Sequence, residues 1–193
     1  MRVSEANDEL DRLLGETRSL YARLRDAARE CWNRDLPLDE LMFDRWERAR
    51  ELGFGEGTSI YHSSYVYGDV RVGRGTWIGP FTILDGSGGL TIGDSCSIST
   101  GVHLYTHDTV RWAVTGGAAP YEHAPVAVGD CCYVGPHAVV AKGVVIGEHS
   151  TIGAGSFVNR DVEPYSIAVG SPCRTIGTVR VDGSDVTFEY ERG

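Results

Sequence analysis

Residues 128–158 read VGDCCYVGPHAVVAKGVVIGEHSTIGAGSFV. An aliphatic residue returns at every sixth position of this stretch, and a small or slim residue follows four positions after each. The aliphatic positions are Val128, Val134, Val140, Ile146, Ile152 and Val158. A period of six predicts the flat sides of a triangular coil. The coils stack into a parallel β-helix with the aliphatic side chains inside.

Earlier residues keep the same period in two further blocks. The aliphatic positions there are Ile60, Val66, Val72, Ile78 and Leu84, and then Ile92, Ile98 and Leu104. Glycine often follows the aliphatic residue, and we expect it to relieve the turn. These glycines are Gly73, Gly79, Gly93, Gly129, Gly135, Gly147 and Gly153. An antiparallel sandwich would show a period of two with variable loops, so the sequence predicts an all-β repeat core.

Two interruptions break the repeat. The phase slips by two residues after Leu84, which predicts a bulge over residues 85–89. The pattern fails again after Leu104, so we expect residues 105–127 to leave the helix as an extruded loop. Insertions in repeat folds tend to lie at the functional face.

The residues that flank the repeat predict other elements. Apolar residues at helical spacing in residues 1–55 predict a helical extension that covers the first coil, with one helix ending near Trp32 and another running from Pro37 to Gly53. The repeat domain is assigned to residues 56–177. The remaining residues, 178–193, predict a hairpin around a turn at Asp182-Gly183.

Composition excludes some classes of partner. The formal net charge of −9 argues against nucleic acid or an anionic membrane as the main partner. No apolar run is long enough for a signal peptide or a membrane span. Five cysteines without metal-site spacing indicate reduced thiols and predict a cytoplasmic location.

Two stretches resemble one family, the hexapeptide-repeat acyltransferases, in their galactoside, maltose and polysaccharide-sugar acetyltransferase branch. The first, residues 91–108, ends in Thr106-His107-Asp108, and the second, residues 128–174, ends in Ser166-Ile-Ala-Val-Gly-Ser-Pro-Cys-Arg174. The resemblance covers residues 60–176. It implies a left-handed parallel β-helix shaped as a triangular prism, assembled as a homotrimer. It also implies acetyl-CoA as co-substrate, no metal, and a sugar or sugar nucleotide whose hydroxyl or amine is acetylated.

The resemblance also implies roles for single residues. His107, at the start of the loop, corresponds to the family's general base, and imidazole suits that step because its ordinary pKa lies near working pH. Asp85 corresponds to a residue that binds the acceptor. By position, His123 in the loop is a candidate contact for the acceptor, and His103 either flanks the site or lies on the prism face without a role in it. The alternatives are an Asx turn at Asp85 and a turn cap formed by His107 with Asp108.

The family binds acetyl-CoA along the groove between neighbouring prisms. The corresponding residues here are Tyr133, Gly135, Gly153, Ala154, Asn159, Arg160 and Arg174. Tyr133 stands where the family commonly has tryptophan, and Asn159-Arg160 replaces the usual Thr-Lys. The arginines would bind phosphates as charged donors, although Arg174 could instead pair with a carboxylate.

Two other functions fit a hexapeptide repeat. A zinc enzyme of the γ-type carbonic anhydrase kind would need three converging imidazoles, for which His103, His107 and His123 are the candidates. A non-catalytic β-helix that serves as an assembly subunit would need no loop histidine. The loop histidine and the closing Gly-x-Pro-x-Arg pattern favour the acyltransferase over both.

Overall fold

A computed structural model describes residues 3–190 and the side chains of residues 7–190. Two compact units divide at Asp44 and Arg45, so the predicted extension of residues 1–55 falls into both. Within the described residues the helices are α1 (Val3–Trp32), α2 (Leu38–Met42), α3 (Arg45–Glu51) and α4 (Val110–Val114). The first helix therefore ends where the sequence predicts.

Short strands make up most of the second unit. In chain order they are β1 (Ser59–Ile60), β2 (Tyr65–Val72), β3 (Trp77–Ile78), β4 (Ile83–Ile92), β5 (Ser97–Ile98), β6 (His103–Leu104), β7 (His107–Asp108), β8 (Glu122–His123), β9 (Val126–Val128), β10 (Tyr133–Val134), β11 (Val139–Val140), β12 (Val145–Ile146), β13 (Thr151–Ile152), β14 (Phe157–Val158), β15 (Ser166–Val169), β16 (Arg174–Asp182) and β17 (Asp185–Tyr190).

Parallel pairing of these strands builds three faces. Face 1 has the order β1, β3, β5, β10, β13 and β15, so it marks about six turns. Face 2 contains the first halves of β2 and β4 with β6, β11 and β14. Face 3 contains the second halves of β2 and β4 with β9 and β12. The predicted parallel β-helix is confirmed.

The hexad residues form the interior, as the period predicts. Ile60, Ile78, Leu84 and Ile98 have no exposed surface, and the later hexad positions are also buried. The register between β2 and β4 shifts after Gly68, which accommodates the two-residue slip.

Hydroxyl and thiol side chains link successive coils at the corner between face 3 and face 1. Each lies at the small position of its hexad and donates a hydrogen bond to a backbone carbonyl of the next coil. The pairs are Thr58 with Gly73, Thr76 with Gly93, Cys96 with Gly129, Cys132 with Gly147, and Ser150 with Glu163. The small position therefore supplies hydrogen bonds as well as space.

Two buried threonines provide a matched test of these bonds. Thr76 Oγ1 donates to Gly93 O at 2.9 Å and accepts from Cys96 N at 3.0 Å, whereas Thr82 Oγ1 has no hydrogen-bond partner among the residues that the structure describes. We expect Thr82→Val to raise the free energy of unfolding by about 1 kcal/mol, because it removes an unsatisfied buried hydroxyl. Thr76→Val should lower that free energy by about 1–3 kcal/mol, because it leaves two backbone groups unpaired. Denaturant unfolding of both variants measures the difference, and equal effects would contradict the explanation.

The glycines after the aliphatic residues do not relieve the turn, so that prediction is wrong. None of the seven has a left-handed backbone. An added Cβ at Gly129 would lie 2.6 Å from Glu148 N, and one at Gly147 would lie 2.4 Å from Pro164 N. These glycines are needed because adjacent coils approach closely. The left-handed turn lies three positions after the aliphatic residue, at Gly75, Ser95, Cys131, His149 and Tyr165.

The predicted helix from Pro37 to Gly53 is wrong in its continuity. Phe43 has extended backbone, with φ −124° and ψ 137°, and this ends α2 before α3 begins. α3 lies against β1, with Ala49 buried. Arg48 donates to the carbonyl of Ser64 at 2.7 Å. This third helix therefore covers part of the first coil.

The chain beyond the last coil forms an antiparallel hairpin of β16 and β17, which extends face 1 through β15. The five cysteines are free. No helix among residues 3–190 is both long enough and apolar enough to cross a membrane.

Candidate active site

The extruded loop leaves the prism at the corner between face 2 and face 3. After β6 the chain passes through Tyr105 and Thr106 into β7, which pairs with β8, and α4 connects these two strands. The loop is two residues shorter than predicted. Val126 and Ala127 belong to β9, which pairs with β4 and β12, because the buried Val126 side chain resumes the interior.

His107 lies directly against Asp85 at this corner. The two side chains come from different coils, and His107 Nδ1 is 2.6 Å from Asp85 Oδ2. Only 2% of the Asp85 side chain is exposed, against 34% of His107. An ionised carboxylate can only accept hydrogen bonds, so Nδ1 carries the hydrogen. The other ring nitrogen of neutral His107 keeps its lone pair, as a general base requires.

Hydrogen bonds saturate both carboxylate oxygens of Asp85. Oδ1 accepts from the backbone N–H of Ser87 at 3.0 Å and from its hydroxyl at 2.5 Å. Oδ2 also accepts from the backbone N–H of Thr106 at 2.9 Å. Burial acts to raise the pKa of this carboxyl, but the bonds from Ser87, His107 and Thr106 outweigh it and hold that pKa well below its usual range.

This environment changes the interpretation of Asp85. The predicted Asx turn is present, since Ser87 N donates to Oδ1. The buried carboxylate faces His107, and its exposed surface is too small for a sugar hydroxyl to reach it easily. Sequence reasoning did not assign Ser87 and Thr106, whose only signals were the two-residue slip and the position next to His107.

Of the two other predicted acceptor residues, His123 contacts His107 and His103 does not. His123 pairs with His107 across the loop strands, and their rings stack with centroids 5.8 Å apart. His103 instead lies beside Tyr105, whose hydroxyl is 3.3 Å from His103 Nδ1. The residues that the structure describes contain no group of three or more His, Cys, Asp or Glu that could hold a metal ion. His103, the third imidazole that a zinc site would need, therefore lies apart from the pair formed by His107 and His123.

The predicted cofactor residues divide between two corners. Tyr133, Gly135, Gly153 and Ala154 lie on face 1 and at the corner that follows it. An added Cβ at Gly135 would lie 2.7 Å from Ala154 N, and one at Gly153 would lie 2.6 Å from Val169 Cγ1. Contacts with the next coil therefore account for both glycines without a ligand. Tyr133 and Ala154 are exposed.

Arg160 lies at the corner where the extruded loop leaves. Val140 pairs with Val158, so Lys142 and Arg160 occupy equivalent positions on adjacent coils. Arg160 and its neighbour Asn159 are exposed. Within the part of the chain that the structure describes, the Arg160 guanidinium has no hydrogen bond or ion pair.

Arg174 follows the last coil and is also exposed. Its guanidinium donates to the carbonyl of Cys173 at 2.7 Å. It forms no ion pair with a carboxylate among residues 7–190. The alternative that Arg174 pairs with a carboxylate is therefore not found among the described residues.

Residues 125–160 match the family described as bacterial transferase hexapeptide, with six repeats. The matched stretch contains strands β9 to β14 of the prism. Galactoside O-acetyltransferase from Escherichia coli K12 is 36% identical over 95 residues, which are 45% of this chain and 47% of that protein. The chain thus spans about half the length of this relative.

Two solved structures extend the likeness over more of the chain. A galactoside acetyltransferase in complex with coenzyme A is 27% identical, with a TM-score of 0.59 over 86% of this chain and 82% of that one. AntD, an N-acyltransferase from Bacillus cereus in complex with dTDP and 3-hydroxybutyryl-CoA, is 24% identical, with a TM-score of 0.57 over 70% of this chain and 90% of that one. At that identity, the likeness to AntD concerns the fold.

Proposed function

We propose that this chain is an acetyl-CoA-dependent acyltransferase that transfers an acetyl group directly to a hydroxyl or amine of a sugar-type acceptor. The observation that carries the proposal is the 2.6 Å contact between buried Asp85 and partly exposed His107. A histidine oriented by an ionised carboxylate is suited to remove a proton from an attacking group. The match of residues 125–160 to the bacterial transferase hexapeptide family supports the choice of reaction.

His107 would act as base and then as acid. Its free ring nitrogen takes the proton from the acceptor as the oxygen or nitrogen attacks the thioester carbonyl. Acetyl-CoA supplies this carbonyl in an activated form. Asp85 stabilises the resulting imidazolium, and His107 returns the proton to the departing thiolate. The acetyl group passes to the acceptor without a covalent bond to the protein.

Arg160 and Arg174 fit the phosphates of the co-substrate. Both guanidinium groups are exposed, and neither is neutralised by a carboxylate among the described residues. Charged donors without a carboxylate partner bind phosphate readily. We keep Tyr133, Ala154 and Asn159 as proposed contacts, because they are exposed on the same domain.

We expect Arg160→Ala and Arg174→Ala each to raise the KM for acetyl-CoA more than the KM for acceptor. Loss of a charged hydrogen bond to phosphate should cost about 1–3 kcal/mol. Arg74→Ala is a matched control, because it removes an arginine whose partner is Asp94 on another corner. Steady-state kinetics in both substrates measure these effects. Unchanged acetyl-CoA kinetics in both variants would assign the two arginines a structural role.

The extruded loop supports a polyhydroxylated acceptor. Trp112 and Tyr121 contact edge to face, with ring centroids 5.6 Å apart, and each is almost half exposed. Exposed aromatic faces of this kind can pack against the apolar face of a sugar ring. His123 lies on the same loop beside His107, so we propose that it contacts the acceptor.

A thiol-release assay tests the proposed activity. Purified protein is supplied with acetyl-CoA and a panel of saccharides, aminosugars and sugar nucleotides, and free coenzyme A is measured. Release that depends on one acceptor class, with acetylated product found by mass spectrometry, is expected. Absence of acceptor-dependent release across the panel would favour the non-catalytic assembly subunit. The homotrimer and the cytoplasmic location stay predictions.

A further inference from the structure

Lys142 joins the prism to both strands of the extruded loop. It is the single lysine among the 193 residues. Its ammonium donates to Asp108 Oδ2 at 2.6 Å and to Glu122 Oε2 at 3.1 Å. Asp108 belongs to β7 and Glu122 to β8, whereas Lys142 follows β11 on face 2. One side chain of the prism therefore holds both loop strands.

The held strands are those that carry the two stacked imidazoles. Asp108 is paired across the strands with Glu122, and the adjacent pair is His107 with His123. In a two-stranded ribbon this short, a change in one cross-strand pair displaces its neighbour. The position of His107 against Asp85 therefore depends on the carboxylate pair beside it.

Charge makes Lys142 necessary for this arrangement. Without its ammonium, the carboxylates of Asp108 and Glu122 would lie opposite each other on neighbouring strands, where like charges are destabilising. Arg111 also contacts Glu122, at 3.0 Å, but it belongs to α4 within the loop and cannot tie the loop to the prism. The hydrogen bond from Lys142 lowers the pKa of Asp108, so this carboxyl stays charged near neutral pH.

We propose that Lys142 is a positioning residue for the candidate active site. By neutralising Asp108 and Glu122 together, it closes the loop ribbon and holds His107 against Asp85 and beside His123. Its effect on turnover rests on the proposed function, whereas its effect on the loop does not.

Kinetics of Lys142→Met and Lys142→Arg test the effect on the site. We expect Lys142→Met to lower kcat on the order of 10²-fold, the size of loss that follows a misplaced catalytic group, with little change in the KM for acetyl-CoA. Lys142→Arg keeps the charge and should recover most of the loss. Arg74→Met is the matched control, because it removes a cation paired with Asp94 on a corner without the loop. Normal turnover in Lys142→Met would overturn the proposal.

A charge-removal variant separates positioning from direct contact with substrate. Asp108→Asn and Glu122→Gln are added to Lys142→Met, so that no carboxylates remain to repel each other. Positioning through neutralisation of the two carboxylates predicts that this triple variant regains much of the turnover lost in Lys142→Met. Turnover that stays at the level of the single variant would contradict neutralisation as the means of positioning.

Limited proteolysis measures opening of the loop independently of acyl transfer. Trypsin cleavage after Arg111, followed by mass spectrometry, reports opening of the extruded loop. We expect this cleavage to be several-fold faster in Lys142→Met than in the native protein, and unchanged in Arg74→Met. Equal cleavage rates in all three proteins would contradict the role of Lys142 in closing the loop, whatever the activity assays give. If His107 proves not to be a base, faster cleavage in Lys142→Met would still support the role of Lys142 in closing the loop.

Discussion

Replacing His107 by alanine is expected to lower kcat roughly 10²–10⁴-fold, which is the usual contribution of a positioned general base. The substitution removes the ring nitrogen that would accept the acceptor proton. It leaves the exposed arginines at the end of the prism unchanged, so the affinity for coenzyme A should change little. Steady-state turnover on a confirmed acceptor, with calorimetric binding of coenzyme A, measures both quantities.

His103→Ala is the control for this variant. His103 belongs to β6, which directly precedes the loop, and its ring contacts Tyr105 rather than Asp85. Its loss should therefore have a milder effect on kcat. A folded His107→Ala protein with near-normal turnover would contradict the proposed role of His107 and would leave it as a turn cap.

Asp85→Asn is expected to have an effect of similar size, with turnover lower by roughly 10²–10⁴-fold. The amide has the shape of the carboxylate but no charge to stabilise the imidazolium. It can also present its NH₂ group to His107 Nδ1, and this would place the ring hydrogen on the wrong nitrogen. Ser87→Ala is a matched control, because it removes one bond to Oδ1 and leaves the contact with His107 in place. Equal losses in both variants would indicate a general disturbance of the bulge.

The same carboxylate predicts a pH dependence of stability. The pKa of Asp85 is lower in the folded protein than in an unfolded chain. Its contribution to stability is therefore complete above the ordinary pKa of aspartate and is lost as the pH falls from there toward the folded pKa. The free energy of unfolding should fall less steeply over this acidic range in Asp85→Asn than in the native protein. If the free energy of unfolding, measured by denaturant titration at each pH, changes equally with pH in both proteins, the pKa of Asp85 is not depressed in the folded state.

The fold was accessible from sequence because the interior of a β-helix is specified by one periodic position. Ile98 or Val134 can be placed inside from spacing alone, and the structure buries both. The role of glycine was not accessible, because a turn and a close contact both favour the residue without a side chain. Gly129 shows the difference, since its φ is ordinary and only its distance to Glu148 requires glycine.

The candidate site was only partly accessible, because it lies where the period fails. The resemblance predicts a role for His107 and for Asp85 separately, but their contact joins residues 22 positions apart across a two-residue slip. A repeat pattern does not say how such a slip is accommodated. The ion pairs of Lys142 with Asp108 and Glu122 could not be predicted from the sequence, because they depend on the path of the loop, which has no period.

Because the proposed site lies at the slip after Leu84 and outside the regular coils, mutations can affect the fold and the chemistry independently. Burial in the prism is distributed over about six turns, so many substitutions must accumulate before the coil is lost. The proposed chemistry depends on one irregular corner, and the family match at residues 125–160 includes neither Asp85 nor His107. A duplicated copy of such a gene could therefore lose catalysis by a single mutation and persist as a scaffold, with its repeat signature unchanged.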